Sequence, residues 1–108
     1  MQDLLPPGQT LNLAGLVEYA RGAIVSKTLV DREKGTVTLF AFDQDQRLSE
    51  HSAPFDALVF VVEGQAGVVV GGNPVQVPAG HMVVLPANVP HAVTAAERFK
   101  MLLVMIRA

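Results

Sequence analysis

Residues 78–91, PAGHMVVLPANVPH, decide the fold. A Pro-x-Gly turn precedes four apolar residues, and a second turn bounded by prolines leads to His91. Proline fixes φ and glycine accepts positive φ, so both mark tight turns around a short extended segment. Residues 51–64, HSAPFDALVFVVEG, also combine a histidine, an apolar run and a turn residue: they begin at His51 and end at Gly64 after the apolar run. Both stretches predict short strands between turns, each with a histidine at one end.

The rest of the chain has the same punctuation. Glycine and proline recur at short intervals, and the segments between them are rich in valine, leucine, phenylalanine and threonine. Residues 22–31 and 36–42 predict a hairpin whose turn, 31–35, contains Gly35, which we expect at positive φ. About eight to ten short strands with turns every eight to twelve residues are typical of an all-β sandwich or barrel. Residues 11–20 are a weak helical candidate that we interpret as irregular structure or an edge strand.

The length predicts one domain. A chain of 108 residues is too short for two cores. Half of the residues are hydrophobic and 17% are charged, so the chain can bury a core and is not of the disordered class. We expect a single domain over residues 1–108, with residues 1–10 as an N-terminal arm.

Composition argues against several classes of protein. The net charge is −2 and the eight lysines and arginines are scattered, which gives no basic surface for nucleic acid. The chain has no cysteine, so disulfides and thiolate chemistry are absent. No apolar run approaches the roughly 20 residues that span a bilayer, and the N-terminal residues lack the pattern of a secretion signal. We therefore expect a cytoplasmic protein without a membrane partner.

Two predicted strands are apolar on both faces. In residues 57–62 and in residues 99–106, the odd and the even positions both carry mostly apolar side chains. A strand covered on one side only should alternate apolar with polar residues. Another layer of the chain or a partner subunit must therefore cover the second face, and we expect a symmetric homodimer.

Residues 45–64 resemble the first sequence block of the cupin family, G-x5-H-x-H-x3-E-x6-G. Aligned on Gly64, the glutamate position of the block falls on Ala57, and its two histidine positions fall on Ala53 and His51. The opening glycine position is Asp45, which is also a residue that forms turns.

Residues 80–95 resemble the second block, G-x5-P-x-G-x2-H-x3-N. Gly80 and Pro86 match, Asn88 stands for the middle glycine, His91 matches the histidine, and Ala95 replaces the final asparagine. The resemblance implies a small single-domain cupin of the RmlC-like type, a jelly-roll barrel or double-stranded β-helix.

The resemblance also implies where a metal would bind. In cupins the histidines and the glutamate of these blocks hold a divalent Mn, Fe, Ni, Cu or Zn ion inside the barrel, and imidazole and carboxylate suit these ions. Of the four positions, His51 and His91 keep a ligand, whereas Ala53 and Ala57 offer no lone pair. His51 and His91 are therefore the only metal ligands that the blocks retain, fewer than the three of a catalytic zinc site. Three nearby residues are candidates to complete the site: Gln44, Gln46 and Glu50.

Three functions remain open from the sequence. In the first, the barrel binds a small molecule through His51 and His91, in a pocket lined by Val59, Val61 and Met101, without a metal. In the second, the protein is a metal-dependent enzyme, similar to a dioxygenase or an isomerase, with a reduced two-histidine site. In the third, it is a sensor or scaffold module. The fold does not choose among them, nor does it decide whether the histidines meet any ligand.

Overall fold

The computed structural model describes residues 5–107 and contains nine β-strands and one short 3₁₀-helix, Leu13–Leu16. Residues 1–4 of the expected N-terminal arm lie outside the described residues. The strands are β1 Ile24–Arg32, β2 Gly35–Phe42, β3 Arg47–His51, β4 Asp56–Glu63, β5 Gln65–Val70, β6 Asn73–Pro78, β7 Met82–Leu85, β8 His91–Thr94 and β9 Phe99–Ile106.

The strands form two antiparallel sheets. The five-stranded sheet has the order β1-β2-β9-β4-β7, and the four-stranded sheet has the order β3-β8-β5-β6. Strands that are neighbours in a sheet are often distant in sequence, as β9 is from both β2 and β4. This is the jelly-roll architecture that the sequence predicted.

The main core lies between the two sheets. Alternate residues of the strands face inward, so that Ala57, Val59 and Val61 of β4 are all buried. The rings of Phe42 and Phe99 stack at its centre, with centroids 4.5 Å apart. Burying one such side chain contributes roughly 1.5–3 kcal/mol.

The left-handed turns coincide with the glycine positions of the cupin blocks. Gly64 and Gly80 have φ of 76° and 83°. Asp45 and Asn88 stand at two further glycine positions, and they have φ of 69° and 64°. Asparagine and aspartate are the residues other than glycine that tolerate this region best, because their short polar side chains bond locally. The turns are therefore kept although two of the glycines are replaced.

The first hairpin contradicts the expectation that Gly35 lies in the turn at positive φ. Its turn is Glu33-Lys34, and Gly35 is paired in β2 opposite Arg32 without positive φ. A Cβ atom at Gly35 would lie 2.6 Å from the Met105 carbonyl oxygen on β9. Glycine is needed here because two backbones approach closely, not because the turn is left-handed.

An N-terminal segment covers part of the outer face of the five-stranded sheet. Residues 11–20 are irregular apart from the 3₁₀-helix Leu13–Leu16, which agrees with the first of the two interpretations, irregular structure rather than an edge strand. A second buried cluster, with Leu39 and Ala41 fully covered, lies beneath this segment. Some strands were predicted to need cover on a second apolar face. The N-terminal segment of the same chain therefore supplies part of that cover.

The remainder of that outer face is open. Four large apolar side chains on it are between 39% and 55% exposed: Phe60, Met82, Val84 and Ile106. Among residues 5–107, no helix has the length and apolar character needed to cross a bilayer.

Candidate functional site

A β-bulge brings the two histidines together. β3 pairs with β8 so that Leu48 lies opposite Val93 and His51 lies opposite His91, with a register shift between the two pairs. Leu48 and His51 are three positions apart, so a regular strand would place them on opposite faces. The bulge adds one residue to β3 and turns both side chains toward the same cavity.

Turns on both sides hold the histidine strands in place. The Asn88 N–H donates to the Ala53 carbonyl over 2.8 Å, and the Ala87 N–H donates to Asp56 Oδ1 over 3.0 Å. These bonds tie the turn that precedes His91 to the segment that follows His51. Asp56 is thus a positioning residue, a role that the sequence analysis missed because no pattern links Asp56 to a turn 31 residues away.

The two imidazoles meet at their Nε2 atoms. These atoms lie 3.1 Å apart, the ring centroids lie 4.4 Å apart, and the rings are inclined at 71°. His51 Nδ1 is 2.9 Å from the Ser49 carbonyl oxygen, and His91 Nδ1 is 3.3 Å from the Val89 carbonyl oxygen. A carbonyl oxygen only accepts, so each Nδ1 faces a group to which it can donate, and the contact between the two Nε2 atoms is a hydrogen bond when one of them carries a hydrogen.

The surroundings of His91 disfavour a positive charge on its imidazole ring. Burial lowers the pKa of His91 below its usual 6.5, and a positive charge on His51 lowers it further. The hydrogen bond to Val89 opposes this effect only in part. His91 therefore stays neutral at pH values where an ordinary histidine begins to gain a proton.

A small apolar cavity of about 30 Å³ lies beneath the pair. Among the residues predicted to line a pocket, His51, His91, Val59 and Met101 do line it, whereas Val61 belongs to the packed core and not to the cavity wall. The remaining lining residues are Leu48, Leu85, Val93 and Leu103. A cavity needs roughly 10–15 Å³ to hold one water molecule, so this one has room for a very compact group.

The described residues do not fit the metal site of the family. Ala57 is buried at the position of the glutamate and brings no oxygen. None of the three candidates proposed to complete the site, Gln44, Gln46 and Glu50, lines the cavity. Between residues 5 and 107, no group of three or more histidine, aspartate or glutamate side chains is placed to hold an ion. The pair alone falls short of the three protein ligands of a catalytic zinc.

Comparison with solved structures shows many similar proteins. A conserved protein of unknown function from Streptococcus pyogenes is 34% identical, with a TM-score of 0.91 over 96% of this chain and 91% of that one. A cupin 2 conserved barrel domain protein from Leptotrichia buccalis is 46% identical, with a TM-score of 0.87 over 90% of this chain. The matched region spans only 47% of that protein. A cupin superfamily protein from Desulfitobacterium hafniense is 26% identical, with a TM-score of 0.90 over 96% of this chain and 95% of that one.

Sequence comparison agrees with the architecture. No curated protein matches the chain. The model of the cupin domain family matches residues 38–106. This region includes His51, His91 and the seven strands β3 to β9. With the jelly roll, the left-handed turns at the block positions and this match, the chain belongs to the cupin domain family.

Proposed function

We propose that the protein binds a small molecule at the mouth of the cavity through His51 and His91, without needing a metal. The observation that carries this proposal is the convergence of the two Nε2 atoms, 3.1 Å apart, above an apolar cavity. Small-molecule sites typically combine an apolar wall with a few polar groups that fix orientation.

The state of the imidazoles supports a ligand with a hydrogen-bond donor. Both Nδ1 atoms lie next to backbone carbonyls. When both donate to them, two Nε2 lone pairs face one region, and a hydroxyl or amide group of a ligand that donates to these nitrogens relieves the repulsion between the lone pairs.

The cavity limits the size and the polarity of the part of a ligand that can enter it. Its walls are aliphatic apart from the two rings and Met101, whose flexible thioether side chain can shift to enlarge the space. The part of the ligand that enters must therefore be compact and apolar, and the polar part stays near the exposed edge of His51.

Thermal stabilisation by a panel of small metabolites tests the proposal, with His51→Ala and His91→Ala as paired variants. We expect at least one compound to raise the melting temperature of the wild type and to leave both variants unchanged. Perturbation of the histidine ring resonances by the same compound must accompany the stabilisation. A panel that stabilises wild type and variants equally would place binding elsewhere.

The metal-dependent enzyme is the second candidate function, favoured by the spacing of the two Nε2 atoms, which lets both contact one ion. Metal analysis of protein purified without chelator separates the two candidates. Stoichiometric Mn, Fe, Ni, Cu or Zn that is lost in His51→Ala would support the enzyme and contradict the metal-free proposal. A protein with neither metal nor ligand that captures a partner would support the sensor or scaffold module.

We further propose that the protein is a homodimer. The support is the open apolar part of the outer sheet face around Phe60 and Val84. Exposed apolar patches of this kind on small proteins commonly mark interfaces, and two-fold pairing of identical faces is the commonest way to cover one.

A further inference from the structure

The histidine cavity has a partly exposed rim and a fully buried end. At the rim His51 is exposed, and Leu48 and Leu103 are half-buried. At the buried end Val59 and Met101 are 0% and 1% exposed. Leu103 and Met101 are two residues apart on β9, a distance of roughly 7 Å along the strand. A group that enters from the rim therefore extends toward Met101.

The cavity is an apolar void of limited size. Its volume is about 30 Å³, and a water molecule needs roughly 10–15 Å³, so about two or three non-hydrogen atoms fit. Protein interiors keep few voids larger than a water molecule, and the atoms that line such a void lack contacts on that side. A short alkyl group that fills the space supplies the missing contacts.

The buried end favours the tip of an unbranched chain. Val59 and Val93 are branched at Cβ and are stiff, so this part of the wall does not yield. Phe99, the next inward residue of β9 beyond Met101, is fully buried and stacked on Phe42. Met101 is the one unbranched side chain of the wall, and its three rotatable bonds let it change shape. The length of chain that the cavity accepts therefore depends on Met101.

The polar end of the ligand should be neutral and should both donate and accept. Eight of the described residues line the cavity, and none of them is lysine, arginine, aspartate or glutamate, so a charged group would lack an ionic partner. The Nε2 atoms of His51 and His91 lie 3.1 Å apart, and each donates or accepts according to its tautomer. A hydroxyl group donates one hydrogen bond and accepts others, so it suits the pair in either arrangement.

From these features we propose that the histidine cavity binds a short, unbranched aliphatic alcohol and that Met101 sets the length of its chain. The hydroxyl group contacts the histidine pair, and the terminal carbon atoms contact Met101. This placement rests on the proposed function, because it assigns the polar end of the ligand to His51 and His91.

Titration of protein that carries ¹³C-methyl methionine tests the proposal, with ethanol, 1-propanol, 1-butanol, 1-hexanol and tert-butanol as probes. We expect 1-propanol or 1-butanol to shift the Met101 methyl and His91 ring resonances with a Kd on the order of 10 mM. The branched tert-butanol should bind roughly tenfold more weakly than 1-butanol, because its bulk exceeds the void. The Met82 methyl group, half-exposed on the outer face of the other sheet, is an internal control and should not move.

Variants of Met101 test the chain length. Met101→Ala removes the side chain beyond Cβ and should move the preference to 1-hexanol, because the cavity becomes longer. Val61→Ala is the matched control: Val61 is fully buried opposite Met101 on β4 but does not line the cavity, so the wild-type preference should remain. Met101→Leu keeps the volume and protects the fold, but it stiffens the buried end and should weaken 1-butanol more than ethanol.

The proposal is overturned if no alcohol shifts the Met101 methyl group, if tert-butanol binds as tightly as 1-butanol, or if neither Met101 variant changes the order of chain lengths. A metabolite that stabilises the wild type through both histidines without moving the Met101 methyl group would also overturn it, and would leave the proposed function intact. An alcohol that binds His51→Ala and His91→Ala as tightly as the wild type would contradict both.

Discussion

At the scale of single residues, the fold requires the left-handed conformation of a few turns. It does not require the metal ligands of the family. Asp45 and Asn88 keep positive φ where the family blocks have glycine. Ala53 and Ala57, in contrast, stand at ligand positions and offer no lone pair, yet β3 and β4 form on either side of Ala53 and Ala57 is buried within β4. Sequence motifs of the two kinds should therefore be interpreted separately, the turns as evidence of fold and the ligands as evidence of chemistry.

Two glycines with nearly the same φ should differ in their tolerance of a side chain. Gly80→Ala places Cβ in open space, so its cost is the left-handed conformation alone, about 1–2 kcal/mol. Gly64→Ala adds an overlap with the Arg98 carbonyl oxygen and leaves Cβ 2.9 Å from Phe99 Cβ. We expect its total cost to be larger, on the order of 3–4 kcal/mol. Urea unfolding of the two variants measures the difference, and equal losses would show that packing at Gly64 is unimportant.

The stability of the free protein should depend on pH through His91. Its pKa in the folded protein is lowered by burial and by His51, whereas in the unfolded chain it is near 6.5. Between these values the unfolded state binds more protons, so stability is complete above 6.5 and is lost as the pH falls toward the lowered pKa. Melting temperatures from about pH 7.5 to about pH 5 should fall more steeply for the wild type than for His91→Gln. Parallel curves for the two proteins would contradict this assignment.

At the scale of secondary-structure elements, the sequence predicted the strands better than their registers. Alternating and apolar segments between glycine and proline predicted β1, β2 and β4 to within about two residues, because each is bounded by strong turn signals. The bulge in β3 was not predictable, since it depends on how β3 pairs with β8 rather than on its own residues. The alignment with the cupin blocks correctly placed Ala57 inside the barrel, but it could not show that Leu48 and His51 face the same way.

The N-terminal segment shows a second limit of sequence patterns. Lys100 lies in the apolar run of β9, yet it is only 8% exposed because its Nζ donates to the Ala14 carbonyl over 2.6 Å. The Tyr19 hydroxyl donates to Glu63 over 2.6 Å, and Asp43 accepts from the Gly22 N–H over 2.6 Å. These bonds join residues far apart in the chain, and no periodicity reveals them. They fasten the segment across the outer face of the five-stranded sheet.

Lys100→Met should loosen the N-terminal segment without melting the barrel. The substitution keeps an apolar stem but removes a charged donor, a bond worth roughly 1.5–3 kcal/mol. We expect hydrogen exchange to accelerate in residues 13–22 while the amides of β4 and β9 keep their protection. Lys27→Met, at an exposed position of β1, is the matched control and should change neither region. Uniform acceleration in both regions would mean that Lys100 stabilises the whole fold instead.

At the scale of the whole molecule, the four-stranded sheet presents different side chains on its two faces. Successive residues of β8 alternate, so that His91 and Val93 face the inner cavity while the Thr94 side chain lies over Gly67 on the other face. The five-stranded sheet contributes Val59 and Met101 to the inner cavity, and the N-terminal segment covers part of its outer face. The proposed small-molecule site and the proposed dimer interface therefore lie on opposite faces of this sheet.

Phe60→Glu should convert the proposed homodimer to a monomer. Phe60 is 39% exposed and pairs with Met82, itself 50% exposed, so a charge there enters the centre of the apolar face. In a two-fold interface the substitution acts twice and places two like charges near each other without partners. Light scattering after gel filtration should give a dimer mass for the wild type and a monomer mass for Phe60→Glu. Val75→Glu, on the other sheet at 38% exposure, introduces the same charge and should remain dimeric. A wild type that is already monomeric, or a Val75→Glu variant that also dissociates, would show that this face does not join two copies.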